Sequence, residues 1–285
     1  MDSNKLSYQK GTSSKPLREP VLLAPTISRK LIKGKAKWSY SKDHKKGGAI
    51  LLPAIVYVLS GGEEREKVYF RNLKNDKMLG SCVHVLFQSK KGQGLQPFQM
   101  NDIWRQARKK GKIIVDGKEY RLSKVDKVFL VSDVDEFESQ LVSALSTKAK
   151  DDYGQWIISN PCIEIWLYYC FEKDLPSEIL KLRYITRAKR SQRMKQLNHQ
   201  LIGGADPRKA FDNTPTGIAN SKLHYRTGHY RIPGLFATSF HLMMEQIIAF
   251  VTERGRLFSE YQEAKRKKIE AFLAGKSSID DGMKR

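Results

Sequence analysis

A short stretch without alternation limits how this chain can fold. Ala54-Ile55-Val56-Tyr57-Val58-Leu59 closes a strand signal over 50–59 and stops at Ser60-Gly61-Gly62. A strand with one wet face alternates apolar and polar side chains. One that does not alternate needs cover on both faces, the setting of a central parallel strand. A second run of this kind, Lys127-Val128-Phe129-Leu130-Val131-Ser132, ends in Asp133-Val134-Asp135.

Between and after these runs the pattern switches period. Glu63 to Leu73 has helical spacing of Tyr69, Phe70 and Leu73. Cys82 to Phe87 reads as a strand, Gly92 and Gly94 mark a loop, and a helix is expected near 98–110. Ile113 to Leu122 reads as a hairpin, because Asp116-Gly117 supplies the two positive φ angles of a tight turn. A helix near 136–150 and a strand at 155–160 follow. The alternation predicts an α/β fold with an open, mostly parallel sheet flanked by helices. Beyond Phe171 the chain reads as mostly helical. It has a basic segment near 178–200, a Gly/Pro/Asn-rich loop from Gly203 to about Pro233, and amphipathic helices from Ala237 to Leu273.

Composition enters through charge. Over 285 residues, 52 Lys and Arg against 30 Asp and Glu give +22, which points to a polyanionic partner, nucleic acid first. The excess is concentrated. Residues 1–49 hold 12 Lys and Arg against three acids, and 181–231 hold 12 against two. The first segment reads as a flexible basic arm, residues 50–250 as the α/β domain with its helical extension, and 251–285 as a C-terminal amphipathic helix with a basic tail. With 40% hydrophobic residues the chain can fill a core, which excludes wholesale disorder. No membrane span or signal peptide is readable, so a cytoplasmic protein is expected. The three cysteines, Cys82, Cys162 and Cys170, form no CxxC pair and read as buried thiols.

Chemistry is expected where the buried strands end. Asp133 and Asp135 are two apart at the carboxyl end of a strand, so both carboxylates can face one small volume. Such a pair suits Mg2+ or Mn2+, which take oxygen ligands, and equally describes an acidic loop that caps the next helix. Glu63, Glu64 and Glu66 open a helix, where carboxylates gain from the N-terminal dipole. Glu164 stands in an otherwise apolar helix (Trp166, Leu167, Tyr168, Tyr169), where it either only completes a capping box or wants a partner. Lys189, Arg190, Arg193 and Lys195 form a helix face able to track a phosphate backbone. Arg226 and Arg231, interleaved with His224, Tyr225, His229 and Tyr230, suit phosphate contact with base stacking. His84, inside a strand, reads as a core or edge histidine.

Asp133-Val134-Asp135-Glu136, followed about twenty residues later by Ile158-Ser159-Asn160-Pro161-Cys162-Ile163-Glu164-Ile165-Trp166-Leu167, closely resembles the RloB-like family. Its members have a topoisomerase/primase (Toprim) fold and are associated with bacterial defence against phage. The resemblance spans roughly residues 54 to 250 and takes in Thr238 to Glu245 as the family's closing helix. It implies a Toprim-like sheet in which Asp133 and Asp135 hold magnesium for phosphodiester chemistry on DNA or RNA, with Glu66 and Glu164 as further ligands or water-orienting groups. A companion protein of a defence system is a further implied partner. The family's first motif reads approximately Glu-Gly-x-x-Thr-Glu-x-x-Tyr-Phe. Aligned on Tyr69-Phe70, its second Glu is Glu66, its Thr is Arg65 and its leading Glu is Gly61; Glu63 or Glu64 could replace that Glu only from the helix. Two readings therefore stand: a magnesium-dependent nuclease, and a catalytically silent nucleic-acid-binding subunit. A third reading, a module that binds an acidic protein, predicts no salt-sensitive binding of nucleic acid.

Overall fold

The computed structural model describes residues 54–62, 64–75, 83–90, 94–134, 137–146 and 154–282. The basic arm, Cys82, Gly92, Glu63, Asp135, Glu136 and the last three residues lie outside them.

The two apolar runs are neighbours. Strand β1 (Ala54–Ser60), buried along its whole length, pairs in parallel with β2 (Val83–Gln88) on one side and β5 (Lys127–Asp133) on the other. Strand β6 (Gly154–Ser159) pairs in parallel with β5, which gives a four-stranded sheet of order β2-β1-β5-β6. Successive side chains of β1 and β5 enter different cores. Val56, Val58, Phe129 and Val131 face α1 (Arg65–Asn75), α4 (Glu164–Tyr169) and the start of α9 (Phe240–Gly282). Ile55, Tyr57, Val128 and Leu130 face α2 (Pro97–Lys110) and the hairpin β3–β4 (Lys112–Val115, Lys118–Arg121). The hairpin turns at Asp116 and Gly117, with φ of 50° and 74°. Helix α3 (Glu138–Ser146) follows β5.

The sheet is tied down at two places. At the amino end, Asp126 accepts from the Ile55 N–H at 2.9 Å and the Ser123 N–H at 2.8 Å, which fixes the entry of β1 against that of β5. At the edge of β6, Ser239 Oγ accepts from the Ile158 N–H and Ser159 forms an antiparallel bridge with Thr238, so the segment entering α9 covers an edge that would otherwise be open.

The stretch from Gly203 to Pro233 corrects the loop expected there. It holds α7 (Pro207–Asp212) and α8 (Thr214–His224), which follow α5 (Ser177–Leu180), a 3-10 turn (Lys181–Tyr184) and α6 (Arg187–Ile202). Helix α8 buries Thr214, Gly217 and Ser221 rather than large side chains, so it shows no apolar period. The close approach is real: a Cβ on Gly217 would lie 2.7 Å from Cys170 Sγ and 2.9 Å from the Trp166 ring. The expected C-terminal helices are a single helix of 43 residues, which runs unbroken through position 250. No helix among the described residues is long and apolar enough to cross a membrane.

Candidate functional site at the carboxyl end of the sheet

The strand order creates the site. The chain leaves β1 toward β2 on one side, and its later strands are laid down on the other side of β1. The carboxyl ends of β1 and β5 therefore flank the point where the order reverses, and open α/β sheets take their ligands in the crevice outside such a point. Ser60 is in register with Val131, the Gly61 N–H donates to Val131 O at 2.9 Å, and Asp133 ends β5 opposite Ser159.

At Gly61 the backbone is hemmed in. A Cβ there would lie 3.3 Å from Leu95 O and 3.7 Å from Val131 O. Gly94, with φ of 68°, packs its Cα against the Gly61 carbonyl, where an added Cβ would sit 1.5 Å from the oxygen. The Leu95 N–H also donates to Ser60 O at 3.1 Å. The strand end thus carries no side chain at position 61, where the resemblance implies a Glu.

A carboxyl group arrives nearby from the helix. Glu66, in the first turn of α1, is 6% exposed and folds back over Gly62, so that a Cβ on Gly62 would lie 1.8 Å from Glu66 Cδ. Burial pushes its pKa from 4.5 up to about 7; its own backbone amide opposes the rise, Glu164 adds to it, and Lys195 and Arg65 also oppose it.

Glu164 is 1% exposed at the start of α4. It does not cap that helix, which has no side-chain cap at its amino end. Instead Arg65 Nε lies 3.3 Å and Lys195 Nζ 3.9 Å from its Oε1. Neither contact has hydrogen-bond geometry, and both Glu164 oxygens and Arg65 Nη1 are buried without such a partner. Attraction to Glu164 holds the Lys195 pKa above its ordinary value, with Asp133 adding to the effect. The Cys162 thiol between these groups is pushed well up by burial and by the charges of Glu164 and Asp133, so it stays protonated. Asn198, buried on α6, donates to Glu164 O at 2.9 Å and locks α6 to α4.

The structure therefore gathers Glu66, Glu164, Lys195 and Asp133 from α1, α4, α6 and β5. It leaves Glu64 exposed at the foot of α1, outside the cluster. Glu63 and Asp135 lie outside the described residues. Arg65 joins the site from within a charged run, and its signal in the sequence is a cation next to Glu66 on the first turn of a helix. Of the basic candidates, Lys189 is exposed, Arg193 is half-buried and donates to Gln196, and Arg190 spends its guanidinium on the carbonyls of Leu182, Arg183 and Ile185. Arg190 thereby secures the 3-10 turn rather than a ligand. Lys195 turns inward to Glu164. Arg226 and Arg231 are exposed on the loop before α9. His84 is half-buried on β2, and burial lowers its pKa.

Among the described residues, no group of three or more Asp, Glu, His or Cys side chains is placed to hold a metal ion. The donors at hand are carboxylate oxygens, with neither imidazole nor thiolate. That set fits Mg2+ or Mn2+, which settle for one or two carboxylates and complete their shell with water, and does not fit zinc.

The family model described as RloB-like protein matches residues 56–247. No curated protein and no solved structure matches the chain.

Proposed function

The chain belongs to the RloB-like family, and we propose that it is a magnesium-dependent nuclease of Toprim type that cleaves DNA or RNA phosphodiesters in anti-phage defence. One observation carries this reading. Four separate segments deliver Asp133, Glu66, Glu164, Arg65 and Lys195 to the reversal point of the sheet, and Glu66 brings a carboxyl group back to the strand end that Gly61 leaves bare.

Asp133 and Asp135 would hold the cation. When bound, it would neutralise charge on the scissile phosphate and make a bound water more acidic. Glu66 is the proton-handling group. A carboxyl with a pKa of about 7 is divided between its two forms at neutral pH, the condition under which an acid/base group is most effective. Glu164 holds Arg65 and Lys195 in place by ion pairing, and the two cations offer positive charge to phosphate oxygens. Exposed cations on α6 and the 225–233 loop would grip the backbone, with affinity that falls steeply as salt rises.

The second reading, a catalytically silent binding subunit, is favoured by Gly61 and by the close seating of Gly94 and Leu95 against it. Incubation of wild type and Asp133→Ala with plasmid, single-stranded DNA and total RNA, in Mg2+, Mn2+ or EDTA, separates the two. The nuclease reading expects metal-dependent cutting that Asp133→Ala loses. Salt-sensitive binding without cutting in any metal would establish the silent subunit instead.

A further inference from the structure

The loop that precedes α9 carries a surface that the acidic cluster does not use. Thr227 and Pro233 form an antiparallel bridge, the Gly228 N–H donates to Ile232 O at 2.8 Å, and the Gly234 N–H donates to Arg226 O at 2.8 Å. This small ribbon turns through Tyr230 and Arg231, two successive residues in the left-handed region with φ of 53° and 63°. Residues bearing a Cβ resist that conformation, and where a structure holds it, the surrounding anchors dictate it.

Those anchors tie the turn to the site. Ile232 is buried in a cluster with Val134, Leu141 and Ile158, and Val134 is the residue between Asp133 and Asp135. Asn160, from the Ser-Asn-Pro turn that ends β6, donates through Nδ2 to Pro233 O at 2.9 Å, and its carbonyl accepts from the Phe236 N–H at 2.8 Å. Behind the turn, Tyr225 packs edge-on against His241, with ring centroids 4.8 Å apart, and His224 stacks on Tyr169. A packed base next to the acidic strand end thus supports a turn on which Tyr230 is 57% exposed, with Arg231 exposed beside it and Arg226 exposed at the start of the ribbon, where its Nη1 donates to Tyr225 O at 2.8 Å.

A large aromatic held out to solvent by a strained backbone, next to an exposed arginine in the same turn, is built to meet a flat and polyanionic ligand. We propose that Tyr230 is a stacking platform for an unpaired nucleobase and that Arg226 and Arg231 take the adjoining phosphates, which makes single-stranded nucleic acid the substrate class of the site. Paired bases in a duplex hide their faces, whereas a single strand can splay one onto an aromatic ring. The inference rests on the nucleic-acid reading above and narrows it.

The test uses the full chain in EDTA, so that cleavage does not interfere, with a short single strand containing 2-aminopurine and the duplex of the same sequence. Wild type and Tyr230→Phe should bind the single strand more tightly than the duplex and quench the 2-aminopurine fluorescence. Tyr230→Ala should lose roughly 5- to 150-fold in single-strand affinity, the equivalent of one stacked base, and the quenching with it. Its duplex affinity should not change, and its thermal melting should stay close to that of wild type, since more than half of Tyr230 is exposed. Unchanged single-strand affinity in Tyr230→Ala would overturn the platform while leaving nucleic-acid binding intact. Failure of wild type to bind either form at low salt would remove the nucleic-acid reading as well.

Discussion

The carboxyl group of Glu66 fills the space in which a side chain on Gly62 would begin, 1.8 Å from where its Cβ would stand. Position 62 must therefore be glycine for this carboxyl to reach the strand end, although the backbone there needs no left-handed conformation. The clash would be with the tip of a flexible side chain. Gly62→Ala should thus leave the fold intact and swing Glu66 away, lowering cleavage by roughly 10²- to 10⁴-fold, the span of a lost acid/base group. Circular dichroism beside a cleavage assay checks both halves.

Glu66 also sets a pH dependence. Folding raises its pKa from 4.5 to about 7, so the folded state binds the proton more tightly than the unfolded one. Below pH 4.5 both states are protonated and the group is neutral to stability. As pH rises through the interval, the unfolded chain ionises first and folding weakens; above about 7 the penalty is constant. Glu66→Gln removes it and should be more stable than wild type by ~1–3 kcal/mol above pH 7, with the gap closing toward pH 4.5. Asp126 is raised in the same direction, to about 6, so the difference between the two proteins in urea unfolding, rather than the wild-type curve alone, isolates Glu66.

Asp126 ties the amino ends of β1 and β5 by accepting from Ile55 and Ser123. Asp126→Ala leaves the Ile55 N–H buried without an acceptor and should cost ~1–3 kcal/mol in denaturant unfolding. Asp126→Asn keeps one acceptor oxygen and should cost less.

Glu164→Gln removes the charge that holds Arg65 and Lys195. Their side chains are 33% and 55% exposed, so both cations can turn to water, and the stability loss should stay near ~1 kcal/mol. The larger effect is on positioning. Cleavage should fall while single-strand binding through the 225–233 loop persists, a contrast that paired affinity and rate measurements reveal.

The sheet was legible because its central strands are apolar without interruption, a pattern with few solutions. The Asp116-Gly117 turn was legible for an equally local reason. Helix α8 was not, since it packs through Thr214, Gly217 and Ser221 and carries no apolar stripe. At the site, Asp133 and Glu164 stood out as carboxylates in apolar company. The partnership of Glu164 with Arg65 and Lys195 spans three helices and depends on tertiary packing that no local pattern encodes. Arg190 shows the converse: a cation in a basic helix reads as a phosphate ligand until its guanidinium is found on the carbonyls of the preceding turn.

Single-turnover cleavage of a labelled single strand by wild type, Asp133→Ala and Glu66→Gln, in Mg2+ and in EDTA, decides whether the acidic cluster is a nuclease site. Wild type should cut in Mg2+ alone, and both variants should fall by roughly 10²-fold or more while still binding the strand. Equal cutting by all three, or binding without cutting by wild type in Mg2+, would contradict it.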